Sequence, residues 1–239
     1  MMATAKPRVS PKRIATAAVL GSWAALFWFL ILTDRISFYL STRTAWVVPV
    51  GAAILTVALI GRSASLTSGR PESFSLSETV GYIVLIVPVI IVLVLPPTSL
   101  ASYAATRRSS ISGASFVTTT GDAATGDLSL TDVAAALRSA QGRKALAQRA
   151  GDTVSFTGFV ARYPGMSADE FTLTRFVVSC CVADALAVQV RVANAPPGGF
   201  ENDQWVRVTG KFYPLGEEGV VDATEIEPVA RPKHPYLSA

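Results

Sequence analysis

Three long apolar segments in the first 100 residues limit most strongly what this chain can fold into. The first covers residues 14–32 and runs for 19 residues without a charged side chain. A helix of that length spans roughly 28 Å, close to the ~30 Å hydrocarbon core of a bilayer. The other two segments cover residues 44–61 and 79–97. The pattern predicts a membrane domain of three transmembrane helices within residues 1–100.

A basic stretch precedes the first apolar segment, as it does in a secretory signal peptide. The segment is longer than the apolar region of such a peptide, and no clear small-residue cleavage site follows it before Asp34. We therefore expect an uncleaved membrane helix, joined to the second by a short connector whose Phe38 and Tyr39 suit the membrane interface. Pro88 lies inside the third segment, where neighbouring helices can satisfy the carbonyl that it frees, and it predicts a mild bend.

Basic residues around the three segments indicate the orientation of the chain. With a cytoplasmic N-terminus, six Lys and Arg residues lie in cytoplasmic segments and four lie near the spans on the opposite side. This bias agrees in sign with the positive-inside rule. We therefore expect a multi-pass protein of the cell membrane, with a cytoplasmic N-terminus and an extracytoplasmic C-terminal domain.

The two halves of the chain carry opposite net charge. Residues 1–121 contain 10 basic and 3 acidic side chains, a net charge of +7, whereas residues 122–239 contain 11 basic and 14 acidic side chains, a net charge of −3. The sequence pI of about 9.3 therefore reflects basic residues that flank membrane segments. An acidic C-terminal half would repel phosphate backbones, so we expect no nucleic-acid partner.

Between the membrane segments and the C-terminal domain, composition predicts a linker and then a helix. Residues 101–127 are rich in Ser, Thr, Ala and Gly, which is typical of a flexible linker. Residues 128–150 have a modest apolar stripe with Ser129 or Thr131 as the N-cap and Gly151 at the end. They predict one helix in front of the β-rich region.

From residue 152 onward the apolar residues recur at every second position, which predicts β-strands. Gly158 and Gly210 lie in the middle of strands, where a barrel needs a bend or a bulge. Five short strands favour an all-β, OB-like five-stranded barrel over residues 128–230, with the helix packed on it and residues 231–239 as a tail. A short β-sandwich is the alternative. The predicted strands cover residues 153–162, 171–181, 186–193, 204–213 and 219–229.

The adjacent residues Cys180 and Cys181 are the main candidates for chemistry. Neighbouring residues of a strand point to opposite faces, so we expect one thiol inside the barrel and the other outside. That geometry disfavours one metal ion held by both sulfurs, and a vicinal disulfide would be strained because the two Cα atoms lie only about 3.8 Å apart. The first interpretation of the pair is two small strand residues, one of them buried.

The second interpretation is a thiolate site for a soft metal or metalloid, or a redox-sensitive pair. Asp184 could add an oxygen ligand if the strand turns after Cys181, and a partner chain would complete the shell. Two cysteines and one histidine, His234, exclude an ordinary four-ligand zinc site made by this chain alone. No resident cofactor is therefore expected, and a bound metal ion is an open question.

Other notable side chains in the β-rich region have ordinary structural interpretations. Arg175 is interpreted as a solvated side chain or as an ion-pair partner of Asp184 or Glu170. Trp205 is predicted to pack in the barrel or against the helix. The sequence contains no Ser/His/Asp arrangement, phosphate-binding loop or carboxylate pair in a cleft context. We therefore expect that the protein is not an enzyme.

The runs GDTVSFTGFV, TRFVVSCCVADALAVQVRV and QWVRVTGKF resemble the YcgQ-like family of bacterial membrane proteins over about residues 128–229. The specific part is the pattern R-F-x-x-x-C-C-x-A-D-A, supported by a strand that contains Gly158 and a strand that contains Trp205 and Gly210. The residues that match the specific pattern are Arg175, Phe176, Cys180, Cys181, Ala183, Asp184 and Ala185.

The resemblance implies an auxiliary, non-catalytic subunit of a two-component permease. Its partners would be a polytopic permease subunit and the lipid bilayer, with a metal or metalloid as a candidate substrate. Some members carry a His-rich loop after the second helix, whereas residues 62–78 of this chain contain no histidine. The alternative function is a stand-alone thiol-dependent metal-binding or redox-sensing membrane protein.

Overall fold

The structure is a computed structural model that describes residues 11–65, 75–95, 101–107 and 127–238. The chain divides into two compact units. The helical unit comprises Met1–Ile36 and Thr44–Pro97. The barrel unit comprises Thr98–Ala239 together with Ser37–Arg43, a segment that we call the connector because it joins the first two long helices.

The helical unit contains α1 (Pro11–Leu32), α2 (Val47–Ala64) and α3 (Leu76–Val94). Each helix is long and apolar enough to cross a membrane, which confirms the predicted set of three candidate spans. The predicted bounds of α3 lie three residues too late. Its start is fixed by a capping box, in which Ser75 and Glu78 satisfy each other's backbone N–H groups, and polar capping residues are invisible to a search for apolar segments.

Side-chain hydrogen bonds join α1 to its two neighbours. The Trp28 indole donates to the Thr56 hydroxyl at 3.1 Å, and the Trp23 indole donates to the carbonyl of Leu85 at 3.0 Å. Leu85 lies one turn before Pro88, whose missing N–H weakens the hydrogen-bond ladder of α3 at that point. Helix α1 thus supplies a side-chain donor to a backbone carbonyl of α3 close to the proline.

The barrel unit contains one closed sheet. Strand β1 pairs with both β2 and β4, and β3 pairs with β5, so the strands close in the order β1-β2-β3-β5-β4. Only the β3–β5 pairing within this ring is parallel. This topology confirms the OB-like five-stranded barrel and excludes the sandwich alternative. The strands are β1 (Thr153–Ala161), β2 (Phe171–Val178), β3 (Leu186–Ala193), β4 (Trp205–Leu215) and β5 (Glu218–Pro228).

Two glycines allow backbones to approach each other within the barrel. A Cβ at Gly158 would lie 2.7 Å from the carbonyl oxygen of Thr174 on β2. A Cβ at Gly210 would collide with the backbone of Asp222 and Ala223 on β5, at the bulge between Thr209 and Gly210. Gly210 therefore serves the bulge that its mid-strand position predicts, and Gly158 allows the backbones of β1 and β2 to approach closely.

The barrel also carries an outer cluster of aromatic side chains. The rings of Phe159 and Phe176 stack at 5.8 Å, and Trp205 meets Phe159 edge-on at 5.9 Å. Packing of Trp205 on the barrel is thus confirmed. A short helix, α4 (Ser102–Arg107), covers part of this cluster through Ala105 and falls at the start of the predicted linker. Residues 108–126 of that linker lie outside the described residues.

Two further short helices close one side of the barrel core, where the sequence predicts a single helix. They are α5 (Leu130–Leu137) and α6 (Ala140–Ala147), and both contribute to the buried core. The break occurs because the hydroxyl of Ser139 accepts the N–H of Gly142 and starts a new helix. Gly142 then lies directly against the backbone of α5, where a larger residue would collide.

The predicted tail is part of the barrel. Its last residues form β6 (Leu237–Ser238), which pairs in parallel with Val177 and Val178 of β2. Pro235 is buried, and Tyr236 packs on the outer cluster. The tail therefore occupies the part of the β2 edge that lies beyond its pairing with β1.

Candidate functional site

The two cysteines lie in a turn rather than in a strand. Strand β2 ends at Val178, three residues earlier than predicted. Residues Ser179–Asp184 follow it, and we call them the cysteine turn. The carboxylate of Asp184 accepts backbone N–H groups from Ser179 at 2.9 Å, Cys180 at 2.7 Å and Cys181 at 3.2 Å. Because these N–H groups are bound to Asp184, they are unavailable to a neighbouring strand, and the sheet ends.

This turn places both thiols on the same side, so the predicted separation of the two thiols across a strand is wrong. The sulfurs of Cys180 and Cys181 are 3.6 Å apart. Both lie within 4.8 Å of a carboxylate oxygen of Asp184. Cys180 is exposed and Cys181 is half-buried. Among the residues that the structure describes, these three form the only group of three or more His, Cys, Asp and Glu side chains suited to one metal ion.

The carboxylate controls the protonation of the neighbouring thiol. The hydrogen bond to Asp184, followed by that to Cys181, raises the pKa of the Cys180 thiol to about 11. Burial by itself would raise the pKa of Asp184, but hydrogen bonds from the Cys180 thiol and from the three backbone N–H groups outweigh it, and the net pKa is lowered. At neutral pH the site therefore consists of an ionised Asp184 carboxylate beside a neutral Cys180 thiol.

The connector completes the cysteine turn from the other side. The backbone N–H of Ser41 donates to the carbonyl of Cys180 at 3.2 Å, and the Ser41 hydroxyl donates to the carbonyl of Ser179 at 2.8 Å. The N–H of Val182 donates to the carbonyl of Tyr39 at 2.9 Å. Ser41 is only 4% exposed. The cysteine turn is thus held by Asp184 through three of its N–H groups, and by the connector through two of its carbonyls and the N–H of Val182.

Contacts with the tail hold the other end of the connector. The Ser37 hydroxyl donates to the carbonyl of Lys233 at 2.8 Å. The guanidinium of Arg231 lies 4.6 Å from the centre of the Phe38 ring, a cation–π geometry. Phe38, which the sequence assigns to the membrane interface, therefore contacts the barrel unit. No local pattern in the connector indicates this partner, because the residues it contacts are more than a hundred positions away.

Arg175 supports the tail instead of forming an ion pair. Its guanidinium donates to the carbonyls of His234 at 3.1 Å and Pro235 at 3.2 Å, and lies 5.8 Å from the Trp205 ring. Neither predicted acidic partner is bonded to it in the described part of the chain. Burial lowers the pKa of Arg175, yet an arginine stays charged at neutral pH. Two charge-assisted hydrogen bonds therefore fix the tail over β2.

We predict that Arg175→Ala releases the tail. Hydrogen bonds to a charged group contribute about 1.5–3 kcal/mol each, so cleavage after Lys233 by trypsin should accelerate by at least about tenfold. Mass spectrometry of the purified full chain would measure the loss of the last residues over time. The matched control is Arg207→Ala, which removes an exposed arginine of β4. Equal cleavage rates in the two variants would contradict the proposed role of Arg175.

A family comparison covers the region that contains this site. Residues 141–238 match the family model described as the DUF1980 C-terminal domain, an uncharacterised family. The matched region includes the five strands, the cysteine turn and the tail strand β6. It does not confirm the resemblance to YcgQ-like permease subunits. No curated protein matches the chain.

Proposed function

For a chain whose barrel matches this uncharacterised family, we propose a non-catalytic role as an auxiliary subunit of a membrane permease. One observation carries the proposal: the connector between α1 and α2 is built into the barrel unit at the cysteine turn. A change at the turn is therefore passed along the connector's backbone toward both helices. Such a link suits a subunit whose barrel receives or gates a substrate for a neighbouring permease.

The surface of the helical unit supports a role beside another membrane component. Large apolar side chains of α2 and α3 point away from the unit, among them Ile54, Val57 and Ile83, each more than half exposed. Lipid or a second membrane protein would cover such faces. The polytopic permease partner is proposed from the family resemblance, and this uncovered apolar surface leaves room for it.

The decisive test of the subunit proposal is stoichiometric association with a polytopic membrane protein. A permease encoded beside this chain would be expressed with it, solubilised in mild detergent and purified through a tag on one component. We expect both proteins in one size-exclusion peak at a fixed ratio, identified by mass spectrometry. Migration of this chain as a separate species in several detergents would overturn the proposal.

The position of the connector supports three crossings between the N-terminus and the barrel, and the charges supply the proposed orientation. A connector that folds as part of the barrel shares the compartment of the barrel. A chain that begins in the cytoplasm and crosses at α1 then has its barrel outside, and a third crossing at α3 returns the chain to the same side. The proposed location is a bacterial cell membrane, with the barrel extracytoplasmic.

Introduced cysteines would test this orientation. In a chain with Cys180→Ser and Cys181→Ser, Glu217→Cys places a thiol on the exposed β4–β5 turn, and Ser68→Cys places one in the sequence between α2 and α3. We expect a membrane-impermeant maleimide to label the first on intact cells and the second only after permeabilisation. The reverse pattern would place the barrel in the cytoplasm.

A second candidate function is thiol-dependent binding of a soft metal or metalloid. The observation that favours it is the 3.6 Å separation of the two sulfurs on one side of the turn. Soft ions prefer thiolate ligands. Purified chain would be titrated with Cd²⁺, and a thiolate-to-metal absorption band in the ultraviolet that is lost in the Cys180→Ser, Cys181→Ser chain would support this function. The same absorption in both chains would exclude the cysteines.

A further inference from the structure

We infer that Cys180 and Cys181 form a preorganised site for a soft divalent cation, and that occupancy of this site is coupled to the connector through Ser41. The inference rests on the second proposed function and deepens it, because it names the element that responds to the bound ion. It is argued from the sulfur geometry, from the hydrogen bonds of Asp184 and from those of the connector.

The two sulfurs already have the separation that one metal ion requires. Metal–thiolate bonds of about 2.3 Å at a tetrahedral angle place two sulfurs roughly 3.8 Å apart. The observed separation of 3.6 Å is close to that value. Cys180 is exposed, so an ion can reach the pair from solvent. Binding therefore requires little movement of the turn.

The hydrogen-bonding capacity of Asp184 adds a third ligand when the ion arrives. An ionised carboxylate has about four acceptor sites. Three of them hold the backbone N–H groups of Ser179, Cys180 and Cys181. A carboxylate oxygen of Asp184 lies within 4.8 Å of both sulfurs, so the remaining acceptor site can bind the same cation.

The binding step conserves charge and needs no oxidant or reductant. A divalent cation gives up one water molecule for each of the three protein ligands, and the two thiols each release one proton to the buffer as two metal–sulfur bonds form. The net charge of the ion and the two sulfur ligands is then zero. Water or a ligand from a partner fills the remaining coordination position, as is usual when a chain supplies fewer than four ligands.

The connector helps to hold the pair in this geometry. Ser41 binds the carbonyls of Ser179 and Cys180, on either side of the first ligand, and Val182 binds Tyr39 directly after the second. Because Ser41 is buried, water replaces these bonds poorly. Preorganisation lowers the cost of binding, so loosening the connector should weaken the binding of the ion. By thermodynamic linkage, the ion must then stabilise the connector by the same factor.

The test uses the full chain in detergent with Cd²⁺ as the probe. Wild type, Ser41→Ala and Ser37→Ala are titrated while the ultraviolet thiolate absorption is followed. Ser37→Ala is the matched control. The Ser37 hydroxyl, like that of Ser41, joins the connector to a backbone carbonyl, but its acceptor is Lys233, away from the cysteine turn. We expect one Cd²⁺ per chain, affinity about fivefold weaker for Ser41→Ala, and affinity within about twofold of wild type for Ser37→Ala.

Hydrogen exchange on the wild-type chain, with and without Cd²⁺, gives an independent measurement that does not depend on the stability of a Ser41 variant. Cd²⁺ should slow amide exchange in peptides that contain residues 39–43 and 179–184, and leave the β4–β5 turn unchanged. A Cys180→Ser, Cys181→Ser chain should show no such protection. Slower exchange in both named peptides supports the coupling even if a Ser41 variant proves unstable.

The outcomes separate failure of the inference from failure of the function it rests on. If wild type and the double serine variant bind Cd²⁺ alike, or neither binds it, both the thiol function and the inference are overturned. If Cd²⁺ binds at the thiols but Ser41→Ala keeps wild-type affinity and exchange at 39–43 is unchanged, the inference alone is overturned. The subunit proposal is independent of either result.

Discussion

Replacing Asp184 with alanine is expected to make Cys180 react roughly tenfold faster with iodoacetamide at pH 8. The carboxylate is the largest cause of the raised thiol pKa of about 11, compared with an ordinary value of 9.0. Without it, the thiolate fraction rises by up to about a hundredfold, while the lower pKa reduces the intrinsic nucleophilicity of each thiolate. The two effects together give an increase on the order of tenfold.

The rate should be measured from pH 7 to 11 by mass spectrometry of the cysteine-containing peptide, in a Cys181→Ser background. In the parent chain the rate should keep rising up to pH values near 11, because the thiol stays protonated until then. In Asp184→Ala the profile should level off nearer pH 9. A parallel Asp184→Asn chain keeps the shape but loses the charge, and should lie between the two. Superimposable profiles would show that Asp184 does not control the thiol.

The same substitution removes the acceptor of three backbone N–H groups. Loss of one capping side chain costs about 0.5–2 kcal/mol, so amide exchange at residues 179–181 should accelerate by about tenfold. Exchange in the paired centre of β2 should change much less, because those amides belong to the β1 and β3 ladders. Uniform acceleration through the barrel would instead indicate global destabilisation.

The second large effect is expected from Gly210→Ala, which should destabilise the barrel by about 3 kcal/mol. The added Cβ would collide with the backbone of Asp222 and Ala223 rather than with a flexible side chain. That backbone is held in the β4–β5 ladder on both sides of the bulge, so it cannot move without breaking pairs. Overpacking in a well-packed interior typically costs about 1–3 kcal/mol, and a backbone contact belongs at the upper end.

Amide exchange of buried residues in β3 would report this loss, since their exchange requires opening of the barrel. The matched control is Lys211→Ala, the next residue of the same strand, whose side chain is exposed. It should change the free energy of opening by less than about 0.5 kcal/mol. If both variants behave like the parent chain, the bulge relaxes freely and the close approach is not essential.

Sequence patterns were sufficient for the scaffold because its signals are local. The three spans are continuous apolar segments, and the strands are short segments that alternate or are β-branched and aromatic, so length, periodicity and composition predict them without knowledge of partners. The predicted and observed bounds of β3 agree at residues 186–193. The mid-strand position of Gly210 even indicates where the bulge lies. These features depend on covalent geometry and on burial of one face.

The site could not be predicted in the same way, because its geometry depends on residues distant in the sequence. Most of residues 171–181 are β-branched, aromatic or small, so the sequence predicts a strand that continues through both cysteines. Asp184 ends the strand by accepting three consecutive backbone N–H groups. Strand propensities of single residues do not predict such a side-chain interaction. The connector and the tail are short segments without periodicity, and nothing local indicates that Ser41 or Arg175 binds backbone carbonyls across the barrel unit.

The connector also affects when the barrel can be completed as the chain is synthesised. Ser41 leaves the ribosome well before Ser179, its partner 138 positions later, and in between the chain must place α2 and α3. Domains fold as their residues emerge, yet this barrel lacks one neighbour of its cysteine turn until the connector between α1 and α2 is available to it. A fragment beginning at residue 127 would lack that neighbour and leave two carbonyls of the turn open to water.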